Sequence, residues 1–164
     1  MNFSKTVLSK LTAAVLGCLV LGLASLPANA ATATASFAVT AAVQATCTVT
    51  ATPMAFGTYT PTAVSTSTST VSVTCTNGTS ATFLLNAGTT SGATVTNRLM
   101  VNNGVTLQYG LFSDAAHTAN FGTATTPVNG TGSAVVTTVY GQVLAGQYVA
   151  PNAYTDLITA TVTY

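Results

Sequence analysis

This sequence of 164 residues has very few charged side chains: three lysines or arginines and two aspartates or glutamates, together 3% of the chain. So little positive charge leaves no electrostatic footprint for nucleic acid or an acidic membrane surface, and we expect neither as a partner. Low charge instead favours association with other proteins over a dispersed monomer. The charged residues that follow residue 30 are Arg98, Asp114 and Asp156, and the single histidine is His117.

The shortage of ionisable groups also argues against catalysis. General acid–base chemistry needs paired carboxylates, or a histidine with an orienting partner and a nucleophile. Asp114 and His117 are close enough to meet in a turn, but an aspartate that caps local backbone N–H groups is the simpler interpretation. Asp156 is expected to make a similar local bond before the last strand, and Arg98 to pair with an acid or to be solvated. We predict no catalytic residue, no cofactor and no enzyme activity.

Cysteine is scarce as well, with three in the chain. Cys18 falls within the first thirty residues, which have the pattern of a secretory signal that is removed on export, so Cys47 and Cys75 remain. An even number of cysteines in an exported protein indicates a disulfide. A zinc site needs three or four ligands at one point, and two cysteines with a histidine distant in sequence do not supply that set. We therefore expect a Cys47–Cys75 disulfide and no metal site.

Long apolar runs are absent beyond residue 30, and the run before it is typical of a secretory signal. Lys5 and Lys10 form the positive start, residues 11–26 are almost wholly apolar, and residues 28–30, Ala-Asn-Ala, predict cleavage after Ala30. The apolar run is short for a membrane span, and we predict none in the mature chain. A lipoprotein signal at Cys18 is the alternative, disfavoured because the residues after it stay apolar.

Helical periodicity is absent from residues 31–164, where apolar and polar residues alternate in short runs. The predicted strands cover residues 35–43, 46–52, 70–76, 81–86, 98–101, 105–112, 134–144 and 154–164, and residues 53–69 are interpreted as an irregular connection. Asn-Gly pairs that begin at Asn77, Asn103 and Asn129 predict tight turns, because these residues tolerate positive φ. Asn77 and Asn129 also match the glycosylation pattern Asn-x-Thr, but the turn interpretation is favoured. The spacing predicts an all-β, immunoglobulin-like antiparallel β-sandwich.

The two ends of this region carry the strongest functional signal. In residues 31–45, apolar residues occupy every second position: Phe37, Val39, Ala41 and Val43. The same period continues to the last residue of the sequence: Ile158, Ala160, Val162 and Tyr164. Residues 31–52 contain neither glycine nor proline, so no tight turn favours folding the opening segment back. We predict an incomplete sandwich that lacks its last strand, with residues 31–45 donated to a neighbouring subunit and the terminal strand as the edge of the acceptor groove.

Short motifs in a specific order run through residues 47–164. They are Cys47-Thr-Val, Phe56-Gly-x-Tyr59, Val73-Thr-Cys75-Thr-Asn-Gly78, Leu107-x-Tyr109-x-Leu111-Phe-x-Asp114-Ala-x-His117-Thr, Val139-Tyr-Gly141, Gly146-Gln147, Tyr154-Thr-Asp156 and Thr161-Val-Thr-Tyr164. Their order and spacing resemble the spore coat protein U domain family. His117 departs from the pattern, since relatives often carry arginine there, and this puts a surface ion pair at that position in doubt.

The resemblance implies a subunit of an archaic chaperone–usher pilus. Such a subunit is delivered by a periplasmic chaperone, assembled at an outer-membrane usher, and polymerised with copies of itself or with sibling pilins by donor-strand complementation. It would be exported through the periplasm to a cell-surface pilus that supports adhesion and biofilm formation. By this likeness the donor segment covers residues 36–43, and Cys47 and Cys75 form the disulfide. The chain then divides into a signal (1–30), a donor strand (31–45) and an immunoglobulin-like pilin domain (46–164).

Two further interpretations remain open at the level of the sequence. The family also includes proteins of bacterial spore coats, so a secreted coat or matrix protein with a self-completed sandwich is the main alternative. A small carbohydrate-binding module is the other, and it would need an exposed cluster of tyrosines.

Overall fold

A computed structural model describes residues 30–164 of the chain. The predicted secretion signal therefore lies outside the described residues, apart from Ala30. The chain divides into two units between Thr40 and Ala41. In the first unit, residues 30–40 carry no helix or strand, and the side chains of Phe37 and Val39 are 86% and 83% exposed. The largest apolar side chains of this segment are thus accessible to solvent.

The second unit, residues 41–164, is built from β-strands, and no helix occurs among the residues that the structure describes. The strands are β1 Cys47–Ala51, β2 Ser65–Cys75, β3 Ser80–Leu85, β4 Arg98–Asn102, β5 Val105–Phe112, β6 Thr126–Asn129, β7 Ala134–Val143 and β8 Ala160–Thr163. One sheet has the order β1-β2-β7-β5-β4 and the other has the order β6-β3-β8. All strand pairs are antiparallel. The predicted all-β antiparallel sandwich is confirmed.

The core lies between the inner faces of the two sheets, because alternation along each strand turns every second side chain inward. The buried apolar residues include Val71, Val73, Leu107, Leu111, Val139 and Val143 from the larger sheet and Ala81, Phe83, Leu85 and Val128 from the smaller one. Phe83 meets Phe121, from the loop after β5, with ring centroids 5.6 Å apart. Each large apolar side chain buried in this way contributes roughly 1.5–3 kcal/mol, so packing between the sheets stabilises the fold.

The three Asn-Gly pairs adopt different structures. Asn103 and Gly104 have φ angles of 46° and 81° and form the two-residue loop between β4 and β5, as predicted. Gly78 also has a positive φ, but its turn carries the chain from β2 in one sheet to β3 in the other. At Asn129-Gly130 the prediction of a tight turn is wrong, because Asn129 ends β6 and Gly130 has no positive φ. Glycine is needed there instead because the Thr76 carbonyl oxygen approaches it closely.

Three strands also differ from prediction by more than a residue or two. β2 begins at Ser65 and not at residue 70, because its first five residues are all serine or threonine and pair with β7 without any apolar alternation to mark them. β6 was not predicted; it contains Pro127, which is tolerated because β6 is an edge strand. β8 is shorter than predicted, because Thr155 bridges Val101 of β4 before the chain pairs with β3.

Candidate functional site: an apolar groove at two sheet edges

Two sheet edges lie side by side without a strand between them. β1 forms one edge of the larger sheet and pairs only with β2 among the described strands. β8 forms one edge of the smaller sheet and, among the same strands, pairs only with β3. Cα atoms of β1 and β8 approach within 8 Å of each other. Each edge leaves outward backbone N–H and C=O groups that can pair with an added strand.

An apolar cavity of about 480 Å³ opens next to these edges. Its inner side is formed by the buried side chains of Val71, Leu111 and Val139. Ala51 at the end of β1 and Ala160 at the start of β8 line its margins. A cavity of this size and composition suits an apolar ligand.

A second cavity, of about 730 Å³, adjoins the first, and its inner side includes Leu107 and Val143. Four residues line both cavities: Met54, Phe56, Met100 and Tyr154. We call the two adjoining cavities the groove. Both are formed entirely by residues of the second unit.

The groove is narrowed by two side chains from the connection between β1 and β2. Met54 and Phe56 lie directly over β7 at Gly141, where an added Cβ atom would overlap the Met54 sulfur and the Phe56 ring. Phe56 also packs edge-on against Tyr109, with ring centroids 6.1 Å apart. From the sequence, this connection is interpreted as irregular and Phe56 belongs to a family motif, but neither Met54 nor Phe56 is placed in a groove. A further signal is that these large apolar residues stand in a stretch otherwise rich in small and hydroxyl side chains.

Of the four residues predicted to form the acceptor edge, two line a cavity and two do not. Ile158 and Ala160 line the first cavity. Val162 is half-buried, pairs in register with Phe83, and packs against the core. Tyr164 follows the end of β8 and is 59% exposed, so it contributes to neither cavity.

All four predicted donor residues are exposed. Phe37 and Val39 belong to the first unit, whereas Ala41 and Val43 begin the second, where Val43 is 84% exposed. None of the four lies in a strand. The apolar side of the donor segment is therefore available to another molecule.

A disulfide fixes the first residue of the groove edge. Cys47 begins β1 and is bonded to Cys75, the last residue of β2, which is its direct partner in the antiparallel register. Cys75 is buried, and Cys47 packs against the core. The predicted disulfide is present, and it covalently holds β1 to the larger sheet at the point where the donor segment ends.

Asp156 joins the groove wall to two other parts of the sandwich. Its Oδ2 accepts a hydrogen bond of 2.7 Å from the Tyr109 hydroxyl, and its Oδ1 accepts from the backbone N–H groups of Thr89 and Leu157. The bond from Leu157 is the local one expected from the sequence, and the other two are long-range. Burial and the bond to Asp156 both raise the pKa of Tyr109. Because Asp156 lines the first cavity, these bonds position the segment that leads into β8.

Arg98 is buried completely, which contradicts the expectation of an ion pair or a solvated side chain. Its guanidinium donates to the backbone carbonyl oxygens of Asn86, Val95 and Phe121 at 3.0, 2.6 and 2.7 Å. Burial lowers the pKa of Arg98, and the nearby Tyr109 and Asp156 oppose this effect. Arg98 thus ties together three loop segments around one end of the core.

Asp114 and His117, which the sequence places close together, both make local structural contacts. Asp114 accepts hydrogen bonds from the backbone N–H of Ala119 at 2.8 Å and from the N–H and hydroxyl of Thr118. These bonds lower the pKa of Asp114. The His117 ring packs edge-on against Phe112, with centroids 5.2 Å apart. The predicted capping role of Asp114 is confirmed.

Three further observations concern the described region as a whole. Between residues 30 and 164, no group of three or more His, Cys, Asp or Glu side chains is arranged to hold a metal ion. Within the same residues, no helix is long and apolar enough to span a membrane. Of the six tyrosines, only Tyr148 and Tyr164 are exposed, which does not favour a carbohydrate-binding surface built on a tyrosine cluster.

The fold and the site define an immunoglobulin-like β-sandwich with an open apolar groove at its margin. The chain belongs to the Spore Coat Protein U domain family, whose model matches residues 33–161. The resemblance seen in the sequence is thereby confirmed. Among curated proteins, no sequence matches significantly.

Solved structures agree with this assignment at the level of the fold, and eleven of their chains match significantly. One belongs to the CsuC–CsuE chaperone–tip adhesion subunit pre-assembly complex from the archaic chaperone–usher Csu pili of Acinetobacter baumannii, with 20% sequence identity and a TM-score of 0.53. The match covers 74% of this chain and 40% of that chain. Our chain therefore corresponds to less than half of the matched one.

Proposed function

We propose that this protein is a structural subunit of a chaperone–usher pilus and that it polymerises by donor-strand complementation. One observation carries the proposal: an apolar groove lies beside two sheet edges that have no strand partner on their outer sides, in a chain that also has an exposed segment of alternating apolar residues. The groove accepts residues 31–45 of the next subunit, with Phe37, Val39, Ala41 and Val43 directed inward. The family assignment and the fold shared with a pilus subunit complex support this function.

The dimensions of the donor segment suit the groove. Residues 31–45 span about 50 Å when extended, at roughly 3.3 Å per residue. The longest strand next to the groove, β2, has 11 residues and is about 36 Å long by the same measure. One donor is therefore long enough to run the length of β2 beside the groove.

Energetically, the exchange buries apolar surface that is otherwise wet on both partners. Phe37, Val39 and Val43 each contribute roughly 1.5–3 kcal/mol when fully buried. The donor and the groove are different surfaces of one chain, so each contact is heterologous and leaves a free donor and a free groove at the two ends. Repetition of such a contact produces a filament.

An uncovered groove is an aggregation hazard, because it combines apolar surface with unpaired strand edges. We infer that a periplasmic chaperone covers it after export and that an outer-membrane usher exchanges the chaperone for the next donor. The filament is then extracellular, and adhesion and biofilm formation are the roles that we assign to it.

The first test replaces a donor residue in the full chain. Phe37→Asp places a charge in the groove and is expected to abolish polymer, whereas the matched control Ala38→Asp places the same charge on the opposite side of the segment and is expected to retain it. Protein sheared from the cell surface is compared by SDS gel without and with heating. The proposal is supported if the wild type and Ala38→Asp give a ladder that disappears on heating, while Phe37→Asp gives no ladder. Intact ladders in Phe37→Asp would exclude it.

The alternative is a secreted coat or matrix protein whose own residues 31–45 complete its sandwich, and the family description gives it some support. Deletion of residues 31–42 separates the two functions. A pilin without its donor is exported and folded with the chaperone but does not polymerise. A self-completed protein migrates as a monomer in the wild type and unfolds when these residues are removed.

A further inference from the structure

The three Asn-Gly pairs differ in how the backbone N–H of the glycine is bonded. The Gly78 N–H donates to the Gly130 carbonyl oxygen at 2.9 Å, and the Gly130 N–H donates to the Thr79 carbonyl oxygen at 2.7 Å. The Gly104 N–H has no acceptor among residues 30–164. One of three identical dipeptides therefore has an unengaged amide nitrogen.

Solvent exposure separates the pairs further. Asn103 and Gly104 are both exposed, at the tip of the hairpin between β4 and β5. Gly130 is buried, with the Thr76 carbonyl oxygen and the Cys75 side chain close to it. Asn77 is exposed, but the bond from Gly78 to Gly130 anchors its turn to the loop after β6.

We propose that Asn103 is a specific site of spontaneous modification, by succinimide formation and deamidation. The deprotonated Gly104 nitrogen attacks the side-chain carbonyl carbon Cγ of Asn103, a new N–C bond closes a five-membered ring, and the side-chain nitrogen leaves as ammonia. Water then opens the ring at either of its two carbonyl carbons. The products are aspartate, or isoaspartate with the main chain running through the β carbon.

The hydrogen bonds explain the selectivity. Attack requires the glycine nitrogen to be free and the turn to distort. At Asn77 and Asn129 this breaks a backbone hydrogen bond, and at Asn129 it also disturbs a buried residue. At Asn103 no bond of the glycine N–H has to break; only the loop closed by Asn102 and Val105 has to distort, and local opening at a hairpin tip is easier than in packed regions.

Modification would change an otherwise nearly uncharged surface. After cleavage at Ala30 the chain carries one arginine and two aspartates, a net charge of −1, and one new carboxylate makes it −2. Isoaspartate also adds one methylene to the backbone of a two-residue loop, between the paired residues Asn102 and Val105. The inference does not depend on the proposed pilus function.

The test follows the three asparagines in the wild-type protein during incubation in mildly alkaline buffer. Peptide mapping by mass spectrometry measures deamidation at each one, and isoaspartate is assayed separately. In the folded protein we expect Asn103 to convert roughly tenfold faster than Asn77 and Asn129, about the effect of one hydrogen bond. In the reduced, denatured protein the three should convert at similar rates, because the dipeptides are the same.

A variant completes the test. Asn103→Gly places at this position another residue that tolerates positive φ. It should remove the fast phase of deamidation without changing the rates at Asn77 and Asn129. Conversion of Asn77 or Asn129 at a rate equal to that of Asn103 in the folded protein would overturn the proposal. So would an Asn103 that stays intact in the folded protein while all three sites react in the denatured chain.

Discussion

At the scale of single residues, Arg98 shows how a buried charge is accommodated in a nearly uncharged protein. Desolvation of a guanidinium is costly, and it is offset when strong hydrogen bonds occupy the donors. Arg98 satisfies carbonyl oxygens that follow β3, precede β4 and follow β5. The Phe121 carbonyl is buried and the other two are half-buried, so without Arg98 all three would be left with poor access to water. The sequence could not indicate this role, because the acceptors are backbone atoms brought together only by folding.

Arg98→Leu is expected to lower the free energy of unfolding by about 3–5 kcal/mol, because it leaves one buried and two half-buried carbonyl groups unsatisfied. Arg98→Lys should lose less stability, because an ammonium still donates some of these hydrogen bonds although it lacks the planar fork geometry of a guanidinium. Urea denaturation measures both changes. Thr106→Ala, at an exposed position on the neighbouring strand β5, is the control and should change stability by less than about 0.5 kcal/mol. An Arg98→Leu midpoint equal to that of the wild type would contradict this role.

At the scale of the strand, β1 is the element that most needs outside support. It has five residues, four of them exposed, and it pairs along one side only. Such a short edge strand buries little surface and is expected to fray. The Cys47–Cys75 bond holds its first residue in register with β2 and so maintains one side of the groove.

Replacement of both cysteines, Cys47→Ser with Cys75→Ala, should therefore reduce stability and the yield of folded subunit. The bond closes a loop with a sequence separation of 28, which corresponds to about 3–4 kcal/mol on the chain-entropy scale. Unfolding of the wild type with and without reductant measures the same quantity in a chain of unchanged sequence. Thr48→Ser, exposed on β1, is the matched control. Equal stability of the reduced and oxidised wild-type protein would show that the bond is dispensable.

At the scale of the whole molecule, the sandwich has five strands in one sheet and three in the other, with the groove at the margin where β1 and β8 meet. An added strand would bridge these edges and cover the apolar floor of the cavities. The protein is therefore expected to reach full stability only when a donor is bound. Association and stability are then two consequences of the same missing strand.

A rearranged chain tests this expectation without a filament. Residues 31–45 are removed from the N-terminus and attached after Tyr164 through a flexible Gly/Ser linker, so that the donor is supplied within one molecule. We expect a monomer that resists protease and unfolds at a higher denaturant concentration than the same chain without the attached segment. The matched control carries Phe37→Asp in the attached copy and should lose the gain. An attached segment that is readily cleaved and gives no stabilisation would argue against the groove as its site.

Features that follow local periodicity could be predicted from the sequence. β5 was predicted at its observed bounds, because Leu107, Tyr109 and Leu111 alternate with polar residues between clear turn signals. The Asn103-Gly104 turn and the Cys47–Cys75 disulfide could also be predicted, since each depends on the chemistry of one or two residues. Family motifs then extended this local information to the whole domain.

Features that depend on contacts between distant segments could not be predicted from the sequence. The start of β2 is fixed by pairing with β7 across a run of serine and threonine that has no apolar pattern. Met54 and Phe56 enter the groove because Gly141, far away in sequence, leaves room for them. The burial of Arg98 and the long-range bonds of Asp156 are of the same kind. Periodicity reports which face of a strand is apolar, but what that face meets is set by packing between sheets, which no local pattern records.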